Sequence, residues 1–216
     1  MPDPSLIIAI SRQRGSGGAE IGRRLADHLD LRYVDRMLLR HAADFLQTQD
    51  DRAGAASASG SWWSRLGEAV GMGGCAGFSH LPPPLESLRE SELLGVEERL
   101  LNDIAEHGRA VIIGCGAAQV LKGRPGVLSV FLHAPTAWRI ERVRELYGLD
   151  AAGAEAAVRD SDRNRCRFIQ QLTGAQWGGT GSYDLTLDTS AIGVETCVEV
   201  VLDTLTRTRS EMKSET

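Results

Sequence analysis

The hydrophobic residues of this chain form short unbroken runs that alternate with stretches of helical periodicity. Runs rich in β-branched residues predict strands, most of them buried on both faces, at residues 6–10, 31–34, 110–113, 127–132 and 184–188. Apolar residues at three- and four-residue steps predict helices over 21–29, 37–46, 85–106, 136–147, 154–171 and 193–205. Strands that alternate with helices in this way predict an α/β fold with a mostly parallel sheet covered on both faces.

One stretch, residues 50–84, breaks the alternation. It is rich in Gly, Ala and Ser, contains Trp62 and Trp63, and ends in three prolines. This composition is typical of a surface segment, and a flap whose tryptophan covers a bound base fits the same residues. We therefore predict a single domain over residues 1–216, with its core at 5–48 and 85–208.

Charge and cysteine content exclude several classes of protein. The chain has 24 Lys and Arg against 29 Asp and Glu, a net charge of −5, which argues against a protein that coats nucleic acid. The four cysteines include no C-x-x-C pair, so neither a zinc site nor a disulfide framework is indicated. No apolar run is long enough to span a membrane, and no signal peptide is visible. We expect a soluble cytoplasmic protein that meets anionic ligands with local arginines; its oligomeric state is left open.

Three glycines in four positions, Gly15, Gly17 and Gly18, lie between the first strand and the first helix. Glycine permits backbone torsions that let successive N–H groups point at one anion beside a helix N-terminus. In parallel sheets, ligands bind beyond the carboxyl ends of the strands. The pattern therefore predicts a phosphate-binding loop whose candidate contacts are Arg12, Arg14, Gly15, Ser16, Gly17, Gly18, Ala19 and Glu20.

The loop departs from the ordinary G-x-x-x-x-G-K-[ST] pattern. Aligned on the strand and the helix, Arg12 stands at the first glycine, Gly17 at the second and Gly18 at the lysine. The missing lysine removes a charge-assisted hydrogen bond of about 1.5–3 kcal/mol, and Arg12 and Arg14 are the candidates to supply its charge. Glu20 falls near the metal-binding hydroxyl, so it binds magnesium, points away, or weakens triphosphate binding by repulsion.

Two arginine-rich stretches follow later in the chain. Arg139 and Arg142 share one helix face because they are three residues apart, and residues 159–167 read R-D-S-D-R-N-R-C-R. Arginine binds phosphate through paired N–H groups, which suits phosphoryl transfer. The alternative is an exposed helix stabilised by several ion pairs.

The phosphate hypothesis assigns catalytic contacts to Arg159, Arg163 and Arg165, with Asp162 as an orienting group. Its acceptor-binding candidates are Asp35, Arg40, Arg139 and Arg142.

Five blocks, in order, resemble the cytidylate kinase-like family. Residues 8–22, I-A-I-S-R-Q-R-G-S-G-G-A-E-I-G, resemble its lysine-less S-R-x-x-G-S-G-G loop, and further matches occur at 33–35, 111–117, 130–143 and 173–190. The resemblance implies a three-layer P-loop fold with a five-stranded parallel sheet and a helical lid at about 150–175. It also implies ATP with Mg²⁺ as donor and a pyrimidine nucleoside monophosphate as acceptor. The family usually has Gly-Arg-Gly, whose arginine reaches the acceptor nucleotide, where Gly114-Cys115-Gly116 stands here. The resemblance therefore makes Cys115 an acceptor-binding candidate, although a thiol does not replace a guanidinium.

These features together predict a phosphotransferase that moves phosphate from ATP to CMP or dCMP. One rival is a dinucleotide-binding domain, because Asp35 ends the second strand where a ribose-binding acid belongs. Against that rival, the third glycine of G-x-G-x-x-G is Glu20. The second rival is a catalytically inactive kinase fold that serves as a nucleotide sensor or a protein-interaction module. The missing lysine and Cys115 favour it, and the intact R-D-x-D-R-x-R stretch opposes it.

Overall fold

The computed structural model describes the backbone of residues 6–35, 90–114 and 116–214. Five strands form one sheet: β1 (Ile7–Arg12), β2 (Arg32–Asp35), β3 (Ala110–Ile113), β4 (Val127–His133) and β5 (Leu185–Asp188). Their order is β2-β3-β1-β4-β5, and every pairing is parallel. The predicted five-stranded parallel sheet is confirmed, and all five carboxyl ends lie at one edge.

Six helices surround the sheet in the described parts of the chain: α1 (Gly18–Leu29), α2 (Glu90–His107), α3 (Ala117–Val120), α4 (Thr136–Tyr147), α5 (Ala151–Thr173) and α6 (Thr189–Ser214). Helix α6 is interrupted at Gly193, whose backbone is not helical. A short 3-10 turn at Thr180–Ser182 precedes β5. The predicted helix at 37–46 and the segment at 50–84, with Trp62 and Trp63, lie outside the described residues. None of the helices searched in the described chain is both long and apolar enough to cross a membrane.

Strand β1 lies at the centre of the sheet and contributes to two cores. Ile8 and Ile10 pack on one face in a cluster with Ile21 and Leu25 of α1 and Val201 of α6. Ile7 and Ala9 face the other side and belong to a second cluster, which includes residues of α2 and α3. Alternate side chains of a strand point to opposite faces, so a strand covered on both sides needs an unbroken apolar run.

Helices α4 and α5 form an antiparallel hairpin with a small core of its own. Val143, Ala154 and Val158 are fully buried between the two helices. Asp150 begins α5, because its carboxylate accepts a hydrogen bond from the Gly153 N–H at 2.7 Å. The hairpin carries both arginine-rich stretches to the loop that follows β1.

Candidate phosphate-binding site

The chain between β1 and α1 makes a tight glycine loop. Gly15 and Gly17 have φ of +86° and +78°, in the left-handed region that favours glycine. Ser16 is fully buried, and its hydroxyl donates to the carbonyls of Gln13 (2.8 Å) and Leu132 (3.2 Å). The Gln13 N–H also donates to Leu132 O at 3.0 Å. Ser16, predicted as a ligand contact, therefore uses its side chain to fix the loop against β4.

The first turn of α1 begins at the end of this loop with its backbone donors uncapped. Gly17 is the N-cap residue, and no side chain caps this turn. The first N–H groups of a helix have no partner within the helix, and α1 starts just after the carboxyl end of β1. This arrangement, together with the partial positive charge of the helix N-terminus, favours an anion.

Arg139 of α4 holds the loop from the outside. Its side chain is 4% exposed and donates to four groups: Ala134 O at 2.9 Å, Arg14 O at 3.1 Å, Asp162 Oδ2 at 2.6 Å and Thr136 Oγ1 at 3.3 Å. A Cβ at Gly15 would lie 2.7 Å from the Arg139 carbonyl oxygen, so the loop and α4 are in close contact. Arg139, predicted to bind the acceptor, is engaged here with the protein itself.

Asp162 of α5 joins the hairpin to the loop. Its Oδ1 accepts a hydrogen bond from the backbone N–H of Arg14 at 3.1 Å, and the same oxygen lies 3.7 Å from Arg165 Nη1. The predicted orienting role of Asp162 thus has a geometric counterpart in its contacts with Arg139 and Arg165.

Arg165 occupies a strongly positive environment. Its pKa falls to about 10, first because burial removes water from the guanidinium and then because Arg12 lies nearby. Asp162 opposes this fall, while the charges of Arg14 and Arg139 add to it. Four arginines, which we call the arginine cluster (Arg12, Arg14, Arg139 and Arg165), therefore act around one carboxylate.

Several donors of these arginines are buried without an acceptor. Arg14 Nε, Arg165 Nη1 and Arg142 Nε have no hydrogen-bond partner within the described part of the chain. Buried polar groups nearly always have partners, and a buried guanidinium whose donors are not all satisfied is costly. A bound anion would supply both the missing acceptors and the missing negative charge.

Glu20 lies in a separate ion-pair network. One carboxylate oxygen accepts from Arg24 at 2.8 Å and the other from Arg142 at 2.8 Å. Arg24 also pairs with Glu195, and Arg142 lies over the Trp138 ring at 5.4 Å. No group of three His, Cys, Asp or Glu residues is placed to hold a metal in the described regions. Both Glu20 oxygens therefore already balance arginine charge, which leaves less of the carboxylate's charge for magnesium.

The other predicted site residues are dispersed. Arg159 and Arg163 are exposed on α5, and Arg159 lies 3.6 Å from Asp160. Asp35 ends β2 opposite Ile113 of β3. Arg142 lies beside the loop, 3.6 Å from where a Cβ at Gly17 would stand. Arg40 and Cys115 fall outside the described residues.

An aromatic cleft beside the loop was not predicted from the sequence. Its open volume is about 520 Å³, and its lining includes Gln13, Phe131, His133, Trp177 and Asp188. Trp177 donates to Ser11 Oγ at 3.0 Å and meets the Phe131 ring edge-on at 5.7 Å. The hydroxyl and the N–H of Ser190 both donate to Asp188, and these hydrogen bonds lower the pKa of the Asp188 carboxyl. The only sequence signal for Trp177 is that it belongs to the matching block at 173–190.

Tyr147 is a further residue that periodicity did not single out as functional. It ends α4, is 61% exposed, and its ring centre lies 5.0 Å from the guanidinium carbon of Arg14. A cation over an aromatic face is attracted by the ring electrons. Tyr147 thereby holds the Arg14 side chain at the mouth of the loop.

Comparison with known proteins identifies the family and the fold of this chain. The model of the cytidylate kinase-like family matches residues 7–191. The cytidylate kinase of Methanopyrus kandleri is 25% identical over 195 residues, which cover 86% of either chain. That of Pyrococcus horikoshii is 25% identical over 209 residues, 95% of this chain and 92% of the relative. A solved structure of an uncharacterized protein from Eubacterium ventriosum shares the fold, with a TM-score of 0.67, 20% identity, and coverage of 92% of this chain and 96% of the other.

Proposed function

The chain belongs to the cytidylate kinase-like family, and from that premise we propose that it transfers the terminal phosphoryl group of ATP to CMP or dCMP. The observation that carries the proposal is the arginine cluster beside a glycine loop, with buried guanidinium donors that lack acceptors. A nucleoside triphosphate offers the concentrated negative charge that such a site needs.

In this proposal the loop holds the donor phosphates. The backbone N–H groups of Gly15, Gly17, Gly18 and Ala19 surround one side of the phosphate chain, as glycine loops at helix N-termini do. The Ser16 N–H donates to Gln13 O at 3.3 Å and so helps to close the loop. Ser16 and Arg139 keep the loop in place through their bonds to the Gln13, Leu132 and Arg14 carbonyls. Because the loop is fixed before the ligand arrives, little ordering is required on binding.

The arginines stabilise the charge that moves during transfer. Phosphoryl transfer needs positioning and charge neutralisation rather than covalent chemistry by the protein. Arg165 and Arg14 are the best placed, because each has a buried nitrogen without a partner among the described residues. Arg159 and Arg163 are exposed on the same helix, so their proposed contact requires the α4–α5 hairpin to move toward the nucleotide, as lids do.

Magnesium would neutralise charge on the donor phosphates. Both oxygens of Glu20 accept hydrogen bonds from arginines, and no group of carboxylates that could hold magnesium occurs among the described residues. We therefore assign Glu20 no step in the transfer.

A second candidate is a nucleotide-binding module without turnover. Gly18 stands where the ordinary loop has lysine. In addition, the Asp162 carboxylate accepts from the Arg14 N–H at 3.1 Å, on the loop that would hold a phosphate. A protein that only senses nucleotide needs the loop but neither the lysine nor a free transfer site.

A coupled assay for ADP release separates the two candidates. We expect turnover from ATP with CMP or dCMP that exceeds the rates with UMP, AMP and GMP. Turnover with none of the five, together with ATP binding in a calorimeter, would support the sensor instead.

The lid assignment is tested in the same assay. We expect Arg163→Ala to lower the rate and Arg144→Ala to leave it unchanged, because Arg144 is exposed on the hairpin and pairs only with Glu141 among the ion pairs observed. An Arg163→Ala enzyme with the wild-type rate would remove Arg163 from the transfer site.

A further inference from the structure

Gly18 and the side chain of Arg12 compete for the same space. A Cβ built on Gly18 would lie 2.7 Å from Cγ and 2.8 Å from Cβ of Arg12. Carbon atoms that are not bonded to each other do not approach so closely in a packed interior. The stem of Arg12 therefore crosses the first residue of α1, and a lysine at residue 18 would collide with it.

The far end of the Arg12 side chain lies against a second glycine. A Cβ on Gly114, just after β3, would lie 3.1 Å from Arg12 Cζ and would overlap Nη1. The Gly114 N–H donates to Ile10 O at 2.8 Å, which keeps this residue close to β1. The Arg12 side chain thus extends from the end of β1 toward β3 and packs against a glycine at each end.

The charge of the Arg12 guanidinium acts on the candidate phosphate site. After burial, Arg12 is the largest influence on the pKa of Arg165, and it acts to lower it. The Arg12 guanidinium therefore lies near enough to Arg165 for the two charges to repel. Its stem meanwhile lies over the N-terminus of α1, where the backbone donors are uncapped.

We propose that Arg12 replaces the missing lysine, and that the cation and a glycine of the ordinary loop have exchanged positions. The ordinary pattern has glycine where Arg12 stands and lysine where Gly18 stands. The structure explains the exchange, because one long cationic side chain occupies the space between the two positions and requires glycine at the other. Arginine also presents a planar fork of donors to phosphate oxygens. The inference rests on the proposed function only for the identity of the phosphate ligand.

The alternative is that Arg12 is a structural strut between β1 and β3. A strut predicts that removing Arg12 lowers stability without a specific effect on phosphate binding. An exchange predicts in addition that lysine at residue 18 restores binding once Arg12 is gone. The two accounts therefore differ in a double-mutant cycle.

The test measures ATP and inorganic triphosphate affinity by calorimetry for wild type, Arg12→Gly, Gly18→Lys and the double variant, with Arg144→Ala as the matched control. We expect Arg12→Gly to weaken both ligands about 10- to 100-fold, the effect of one charge-assisted hydrogen bond. Gly18→Lys alone should bind both ligands no more tightly than Arg12→Gly does, whereas the double variant should bind them within about tenfold of wild type. Wild-type affinity in Arg12→Gly, or a double variant no better than Arg12→Gly, would overturn the exchange.

A smaller substitution guards against variants that do not fold. Gly18→Ala adds only the Cβ that would overlap Arg12, and alanine is otherwise the better helix residue. We expect it to weaken ATP binding in the wild-type background and to have no effect in the Arg12→Gly background. Equal effects in both backgrounds would contradict the shared space.

Failure of the inference and failure of the proposed function are distinguishable. Absence of turnover with every acceptor would end the kinase proposal, yet the binding cycle would still report on Arg12. A wild-type protein that binds neither ATP nor triphosphate would overturn the inference directly.

Discussion

Arg139 on α4 and Arg165 on α5 face the same carboxylate, Asp162, but their surroundings differ. Arg139 is 4% exposed and donates to two main-chain carbonyls in addition to Asp162. Arg165 is 26% exposed, lies 3.7 Å from Asp162, and has a buried nitrogen without a hydrogen bond to any described residue. The supply of acceptors, and not the residue type, separates an arginine that builds the site from one that is available to a ligand.

The largest effect should follow from removing the arginine that builds the site. Arg139→Ala removes the side-chain donor to Ala134 O and Arg14 O and the ion-pair partner of Asp162 Oδ2. Breaking a buried ion pair typically costs about 3–5 kcal/mol, and we expect a loss of that size in the free energy of unfolding from urea titrations. The exposed control Arg144→Ala should change it by less than about 0.5 kcal/mol. Similar values for the two variants would contradict the scaffold role of Arg139.

Arg165→Ala should show the opposite balance. It removes a desolvated cation that other arginines repel, so we expect the free energy of unfolding to change by less than about 1 kcal/mol. Turnover should fall about 100- to 1000-fold, as when a group that stabilises transition-state charge is lost. The check is ADP release with CMP beside a urea titration of the same preparation. A large loss of stability with unchanged turnover would reverse the assignments of Arg139 and Arg165.

Asp162→Asn sharpens the comparison by changing the shared partner. The amide keeps the shape and can still accept from the Arg14 N–H, but it no longer offsets the surrounding guanidinium charge. We expect a stability loss of about 1–3 kcal/mol in low salt. The melting temperature should rise more with added triphosphate than it does for wild type, because the anion replaces the missing charge. A smaller rise than in wild type would show that Asp162 assists phosphate binding.

The smallest effect concerns Asp188, a carboxylate whose observed donors are neutral groups. It accepts from the N–H groups of Ser190 and Ala191 at the start of α6 and from the Ser190 hydroxyl, and these bonds lower its pKa. Asp188→Ala should cost about 1 kcal/mol at pH 7 as a lost N-cap. Because the folded pKa is below the unfolded one, part of this difference should disappear as pH falls from about 4 through the folded pKa. A difference between wild type and variant that grows as the pH falls would contradict this sign.

The sheet could be predicted from the sequence because burial on both faces demands unbroken apolar runs. Ile7, Ile8 and Ile10 are all essentially buried, and the polar residues Ser11 and Arg12 come only at the carboxyl end of this strand. The glycine loop was predictable for a related reason, since Gly15 and Gly17 adopt torsions that other residues avoid. These features depend on local backbone and burial, which a single sequence displays.

The division of roles among the arginines was not predictable. Arg139 is held by the carbonyls of Ala134 and Arg14, which the fold brings to it and not to Arg165. Glu20 is likewise engaged by Arg142, 122 residues away along the chain. The path of Arg12 past Gly18 and Gly114 depends on three separate elements. Charge and spacing in the sequence identify candidates, but the positions of acceptors decide their roles. The predictions for Arg40 and Cys115 stay predictions.

The most direct test of the central claim is the affinity of Arg165→Ala for ATP, measured by calorimetry beside wild type and Arg144→Ala. If Arg165 belongs to the phosphate site, its loss should weaken binding by about tenfold or more, equivalent to one charge-assisted hydrogen bond. Arg144→Ala should bind as wild type does. Equal ATP affinity for Arg165→Ala and Arg144→Ala would contradict the account.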